Sequence, residues 1–300
     1  MSIMEIIFLG TSQATPTEKR NHPSIWLSYN NENILIDCGE GTQRQIRIAK
    51  LNPCALTRIL ITHWHGDHVL GIPGLLQTLE LNGYNKVLHI YGPAGTKKKM
   101  NIIMSIFNFI KKGLKFEVHE VSSKVFEEKN FKIIAKKMSH PGGCLAYAFI
   151  EKDKLKLDKE KLKKLNIPSS PLLSKLKEGK DVVINGKKIL VRDVAYKVKG
   201  RKIGFITDTA INKNVISIAK DSDILVCEAT FSKKAEDKAR KYKHLTSENA
   251  AQIAKKSGAK KLILTHLSQR YEKNPELILE EAKETFKETI LAEDFMRIKL

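Results

Sequence analysis

Cysteine is scarce in this 300-residue sequence: Cys38, Cys54, Cys144 and Cys227 are scattered, with no Cys-x-x-Cys pair. That excludes a disulfide framework and points to a reducing compartment. Long apolar runs are missing too. No stretch of about 18 apolar residues occurs, so no transmembrane helix is expected. The run Ile6-Ile7-Phe8-Leu9, preceded by Glu5, is too short for a signal peptide. The expectation is a soluble, cytoplasmic protein. No internal repeat or low-complexity tract is present, and a chain this long buries about 75% of its unfolded surface without staples. Acidic residues are in deficit: 33 Asp and Glu stand against 53 Lys and Arg, a net charge of +20. The imbalance favours a polyanionic partner, nucleic acid or a membrane surface.

What is present is concentrated at Thr62-His63-Trp64-His65-Gly66-Asp67-His68, directly after the apolar run Ile59-Leu60-Ile61. Six residues cannot set four ligands around one ion without strain, but they can divide them between two. His63 and His65, two apart at a strand end, point to one side. Asp67 and His68, past the turn at Gly66, can address a neighbouring ion. Nitrogen ligands with carboxylate favour zinc or a similar transition ion over magnesium or calcium. The pattern is that of a two-metal hydrolase.

The rest of the chain alternates strands with helices, an α/β pattern. Strands are expected at residues 6–9, 24–29 and 34–37, the last two joined by a polar turn at 30–33. A helix begins near Gly41, and another carries Ile72, Leu75, Leu76 and Leu79. A strand at 87–91, a helix at 97–109 and strands near Phe116, Ile133 and Tyr147 follow. Residues 151–180 break the rhythm, with ten lysines against five carboxylates and the turn-rich Asn166-Ile167-Pro168-Ser169-Ser170-Pro171. Their sparse apolar residues suggest an inserted basic arm without a core of its own. Alternation resumes with strands at 203, 224–226 and 262–264 and helices at 214–219 and 247–256. A helix at 275–286 is expected to close the chain, its glutamates (Glu276, Glu280, Glu281, Glu284) forming a solvated face.

Four apolar runs end in Thr or Ser followed by a potential ligand. Ile61-Thr62 leads to His63, Met138-Ser139 to His140, Ile206-Thr207 to Asp208, and Leu264-Thr265 to His266. Strands sharing a layer bring their ends together, so these residues can converge at one edge.

With that ligand set the sequence resembles the metallo-β-lactamase superfamily. The resemblance implies a four-layer αββα sandwich over residues 1–300, with an inserted arm at 151–200. It also implies two zinc ions per subunit: His63, His65 and His140 on one, Asp67, His68 and His266 on the other, and Asp208 bridging. Within the superfamily, several motifs resemble ribonuclease Z, the family that trims precursor tRNA 3′ ends. They are Phe8-Leu9-Gly10-Thr11-Ser12 with Pro16-Thr17-Glu18-Lys19-Arg20-Asn21, then Ile36-Asp37-Cys38-Gly39-Glu40-Gly41-Thr42, Cys227-Glu228-Ala229-Thr230 and His244-Leu245-Thr246. Cys227 stands where the family has a histidine, and Ser170-Pro171 where bacterial arms often have Gly-Pro.

The resemblance implies a zinc-dependent endoribonuclease that cuts near the discriminator nucleotide, leaving a tRNA 3′-hydroxyl and a 5′-phosphate on the trailer. Asp67 would accept a proton, and His244, oriented by Glu228, would stabilise charge or donate one. Lys19, Arg20 and Asn21 would hold substrate, the arm would grip precursor tRNA, and a homodimer would form. Two other readings start from the same residues. A small-molecule phosphodiesterase or other dinuclear hydrolase of the superfamily needs neither arm nor charge surplus. An RNA-binding protein with a structural ion needs one closed site. His22, His89 and His119 receive no role from the sequence.

Overall fold

A computed structural model describes residues 4–107, 113–184 and 186–300. The chain divides into two compact units: Met1–Phe126, Ile133–Phe149 and Ile203–Leu300 form the first, Glu127–Lys132 and Ile150–Lys202 the second. In chain order the strands are β1 (Met4–Gly10), β2 (Ser24–Tyr29), β3 (Glu32–Ile36), β4 (Arg58–Leu60), β5 (Val87–Gly92) and β6 (Lys115–Glu120). Next come β7 (Lys124–Glu127), β8 (Phe131–Met138), β9 (Cys144–Glu151), β10 (Lys154–Leu157), β11 (Val182–Ile184), β12 (Lys187–Ile189) and β13 (Ala195–Val198). The last five are β14 (Lys202–Ile206), β15 (Ile224–Glu228), β16 (Leu262–Thr265), β17 (Thr289–Leu291) and β18 (Arg297–Lys299).

Two seven-stranded sheets result, ordered β18-β1-β2-β3-β4-β5-β6 and β17-β16-β15-β14-β9-β8-β7. Side chains alternate between the faces of a strand, and the core follows that period. Ile7, Leu9, Trp26, Leu35, Ile59 and Ile61 pack against Ile72, Leu75, Leu76 and Leu79 of the helix Ile72–Leu81. Their neighbours Ile6, Phe8, Leu27 and Ile34 are fully buried on the opposite face. There the Tyr29 ring meets Phe149 of β9 at 5.0 Å, and the Tyr147 hydroxyl donates to the Ile61 carbonyl at 2.7 Å. Helices Lys213–Ala219 and Ser247–Ser257 cover the other side of the second sheet, the latter lying on β15 and β16. The layers are α, β, β, α, as the resemblance implied. Each fully buried Leu or Ile contributes roughly 1.5–3 kcal/mol by leaving water.

The second unit differs from its sequence reading. It carries a small core of Leu162, Leu176, Val182, Ile184, Ile189 and Val194. Four of these six lie beyond Lys180, which is why the stretch ending there looks coreless. β10 pairs antiparallel with β13 and β11 with β12. Asp158 caps the helix Lys159–Lys164 by accepting from the Glu160 and Lys161 amides. Within the unit, buried Glu151 pairs with Arg201 at 2.7 Å and Lys154 at 2.5 Å. The unit holds nineteen lysines and arginines against nine carboxylates, a surplus of ten, half the net charge of the chain.

Two other expectations need correction. The chain does not close on a helix: β17 joins β16, and β18 pairs antiparallel with β1, Glu5 opposite Lys299. Three-residue strands carry too little pattern to be seen, and tertiary pairing makes them. Nor is Glu281 solvated; it is 3% exposed, accepting from the Ser247 hydroxyl and the Lys233 amide. The helix expected at 97–109 is seen as Thr96–Phe107, and Phe109 lies outside the described residues.

Candidate metal centre

β3, β4, β5 and β6 run parallel, as do β14, β15, β16 and β17. The carboxyl ends of these two parallel groups carry the ligands. Past β4 the chain reaches His63; His65 then begins the short helix Gly66–Val69, which holds Asp67 and His68. His140 follows β8, Asp208 follows β14 and His266 follows β16. The loop after β3 approaches the ligand helix closely, because a Cβ on Gly39 would lie 2.3 Å from the Asp67 carbonyl oxygen. Glycine is required there.

All seven expected ligands converge, in two groups that share Asp208. In the first, His65 Nδ1 lies 3.0 Å from His63 Nε2 and 3.3 Å from His140 Nε2. Asp208 Oδ2 is 3.5 Å from His63 Nε2 and 3.6 Å from His140 Nε2. In the second, His68 Nε2 is 3.3 Å from Asp67 Oδ2 and 3.5 Å from Asp208 Oδ1. His266 Nε2 is 3.0 Å from Asp208 Oδ1 and 3.8 Å from Asp67 Oδ2. A tetrahedral ion with bonds of about 2.0–2.1 Å holds its ligand atoms roughly 3.3 Å apart, so both groups fit one ion each. The chemistry agrees: His68 Nε2, His266 Nε2 and Asp208 Oδ1 are buried without a hydrogen-bond partner. They approach one another with lone pairs unpaired, which is costly unless a cation collects them.

A second layer fixes each ring. His68 Nδ1 donates to Asp37 Oδ2 at 2.7 Å, and His63 Nδ1 donates to Thr62 Oγ1 at 3.1 Å. Thr62 in turn donates to both Asp37 oxygens, each at 2.7 Å. His140 Nδ1 donates to the Lys243 carbonyl at 3.0 Å. His266 Nδ1 donates to Thr230 Oγ1 at 2.9 Å, and Thr230 donates to Glu228 Oε2 at 2.6 Å. In all four rings Nε2 is left to face the centre; only the more exposed His65 presents Nδ1. Asp37, Asp208 and His266 hold positive φ of 58°, 23° and 61°. Such backbone is uncommon outside glycine and concentrates at functional sites.

Charge is shared unevenly among these groups. Burial opposes ionisation of Asp208, but His266, His68 and His63 hold its carboxyl well below the usual range. Asp67 is likewise held low, by His266 and His68 against its burial. Burial would lower His244, yet Glu228, whose Oε2 accepts from His244 Nδ1 at 3.0 Å, pushes it up to about 9. Burial, and then Glu228, pushes the Cys227 thiol well up. Adjacent residues on β15 face opposite ways, so Cys227 points away from Glu228, a neutral thiol in the core. Glu228 makes its contact with His244 with cysteine at that position.

The three expected substrate contacts separate. Lys19 is exposed. Arg20 is not: it is buried, donates to Thr11 Oγ1 at 2.8 Å and the Ala292 carbonyl at 2.6 Å, and lies 3.9 Å from Glu272. Its expected place at a phosphate is corrected, because its charge is used in bracing the loop from within. Asn21 braces it too, donating its side-chain amide to Glu40 and its backbone amide to Asp294. Arg20→Ala should therefore cost about 2–4 kcal/mol of stability, while Lys19→Ala should leave the urea midpoint unchanged and weaken RNA binding.

Residues that the sequence reading passed over complete the site. The Ala14 amide donates to Asp67 Oδ2 at 3.0 Å, and His22 Nε2 lies 3.1 Å from the Ala14 carbonyl oxygen. A cavity of about 470 Å³ opens over the ligands, bordered by Ala14, Phe231, Tyr242, His244 and Arg270. The Arg270 guanidinium lies 5.2 Å from the Phe231 ring centre, and Lys241 5.6 Å from that of Tyr242. A cationic rim with aromatic faces suits an anionic, base-bearing chain. Asp37, behind the ligands, follows the apolar run Ile34-Leu35-Ile36 directly.

The chain is 41% identical to a ribonuclease Z of Methanothermobacter thermautotrophicus over 302 residues, covering 99% of this chain and 97% of that one. The chain belongs to the ribonuclease Z family. Members of this family are metal-dependent endoribonucleases, hydrolases of phosphodiester bonds, and so is this protein. Its structure is similar to the short form of human tRNase Z (ELAC1), with TM-score 0.73, 28% identity and 98% of each chain covered. The metallo-β-lactamase fold protein YhfI of Bacillus subtilis matches at TM-score 0.72 and 18% identity over 100% of each chain, which shows the fold alone. A family profile described as Anti-Pycsar protein Apyc1 matches residues 4–139. Among the described residues no helix is long and apolar enough to cross a membrane.

Within the ribonuclease Z family frame, the Asp37 carboxylate is the most testable support of the ligand set. Asp37→Asn keeps the positive φ but removes the charge that Thr62 and His68 address. Metal affinity should fall about 10–100-fold, as read by competition with a coloured chelator.

Proposed function

We propose that this chain removes the 3′ trailer from precursor tRNA with two zinc ions per subunit. The cut falls beside the discriminator nucleotide and leaves a 3′-hydroxyl on the tRNA and a 5′-phosphate on the trailer. The observation that carries the reading is the split of Asp208, one oxygen to each ligand group, in a chain of this family. Two imidazole-rich groups with carboxylate suit zinc. The two ions would supply Lewis acidity toward the phosphoryl oxygens and acidify the attacking water.

The chain's own residues do the rest. Asp67, fixed by the Ala14 amide, accepts the proton of the water that attacks phosphorus. The bond from phosphorus to the 3′ oxygen breaks, and His244, held by Glu228 through Nδ1, delivers a proton to that oxygen. Lys241, Lys243 and Arg270 border the cavity and meet the backbone charge of the incoming single strand. The basic second unit would hold folded tRNA through phosphates and shape, since paired RNA exposes little base sequence to side chains. The reading extends to a homodimer.

End-mapping of a 3′-extended precursor tRNA after incubation with zinc-loaded protein tests this. A single cut beside the discriminator, with the stated ends, is expected. An intact precursor, or scattered cuts, would return the substrate question to small phosphodiesters or another RNA.

A further inference from the structure

Away from the centre, one cluster has metal-ligand chemistry and no part in the reaction described above. On β5 and β6, parallel at the edge of the first sheet, His89 is in register with Glu117 and Tyr91 with His119. Residues two apart on a strand share a face, so His89, Glu117 and His119 rise from the same side. His89 Nδ1 lies 3.3 Å from His119 Nε2 and 3.5 Å from Glu117 Oε2, which is 3.6 Å from His119 Nε2. This triangle is close to the one that three ligands of a tetrahedral zinc make, with sides of roughly 3.3 Å. It is also as tight as the triangles of the main centre.

The site is built as well as close. Tyr91 stacks on His119 with ring centres 4.7 Å apart and planes 19° from parallel, and Phe126 lies 5.1 Å beyond Tyr91. The imidazole is therefore oriented before any ion arrives. The side chains of His89, His119 and Glu117 are 31%, 37% and 58% exposed, which leaves an entry path.

We propose that His89, Glu117 and His119 form a separate binding site for a zinc-class transition ion, which clips the edge strand β6 to β5. Two imidazoles and one carboxylate select such an ion over magnesium or calcium. With three protein ligands and solvent at the fourth position, the site binds more weakly than the buried centre.

Zinc titration of the chelator-stripped full chain tests this, with bound metal counted by equilibrium dialysis. The wild type should take up one more ion per chain than His89→Gln or His119→Gln, and Glu117→Gln should weaken that uptake tenfold or more. In the wild type, the imidazole nitrogen resonances of His89 and His119 should shift together at one zinc concentration, a readout that survives if a variant fails to fold. Equal uptake by wild type and both variants, or rings unmoved by zinc, would leave only a hydrogen-bonded imidazole pair and overturn the proposal. The difference between chains alike in their main centre does not depend on RNA cleavage.

Discussion

Asp67→Ala will slow cleavage of a 3′-extended precursor tRNA by about a thousandfold or more while tRNA binding stays within a few-fold of wild type. On the proposed reading the side chain has two duties, ligand to one ion group and proton acceptor. Each alone is large, since a positioned base contributes about 10²–10⁴. Asp67→Asn separates them, keeping an oxygen for coordination but no basic group. Its metal content should stay close to wild type while its rate falls nearly as far. On the same reading binding rests on lysines and arginines elsewhere, so a gel-shift titration should barely move. Equal loss of binding and cleavage in both variants would make Asp67 a structural residue.

Excising residues 154–198 and joining Asp153 to Lys199 through a short Gly-Ser link should reduce kcat/KM for precursor tRNA by about a hundredfold or more. Turnover of bis(p-nitrophenyl) phosphate should stay within about threefold. The junction is feasible because β10 and β13 run side by side, Lys154 opposite Val198. Asp153 already accepts from the Gly200 amide at 2.8 Å, and the Glu151–Arg201 pair remains. The loss is electrostatic, so it should appear as a salt effect. Each lost phosphate contact lowers the slope of log affinity against log salt by about 0.7–0.9. Equal losses on both substrates would show that the excision damaged the centre rather than RNA capture.

The ligands were legible because their signal is local. An apolar strand ending in Thr or Ser and then His or Asp needs no knowledge of the rest of the fold, and Asp37 follows its apolar strand directly, without the Thr or Ser that marks the others. The β2–β3 turn was legible for a similar reason, with Asn30 at a φ of 52° that asparagine tolerates. Arg20 was not legible. In sequence it sits among polar residues like any surface charge, and its burial depends on Glu272 and the Ala292 carbonyl, some 250 and 270 positions away. Glu281 hides in the same manner, on a helix whose other glutamates suggest solvent. The core of the second unit was missed because half of its members lie in three-residue strands, which no periodicity marks.

The two metal groups are not independent neighbours. Asp37 holds Thr62, which orients His63 in one group, and it also holds His68 in the other. Asp208 reaches into both. On the two-ion reading, an ion settling in either group fixes two carboxylates where its counterpart needs them. The help must be mutual, because such linkage is reciprocal. Metal uptake at the centre is then cooperative: half-loaded chains are scarce, and the enzyme passes between inactive and fully armed over a narrow range of free metal.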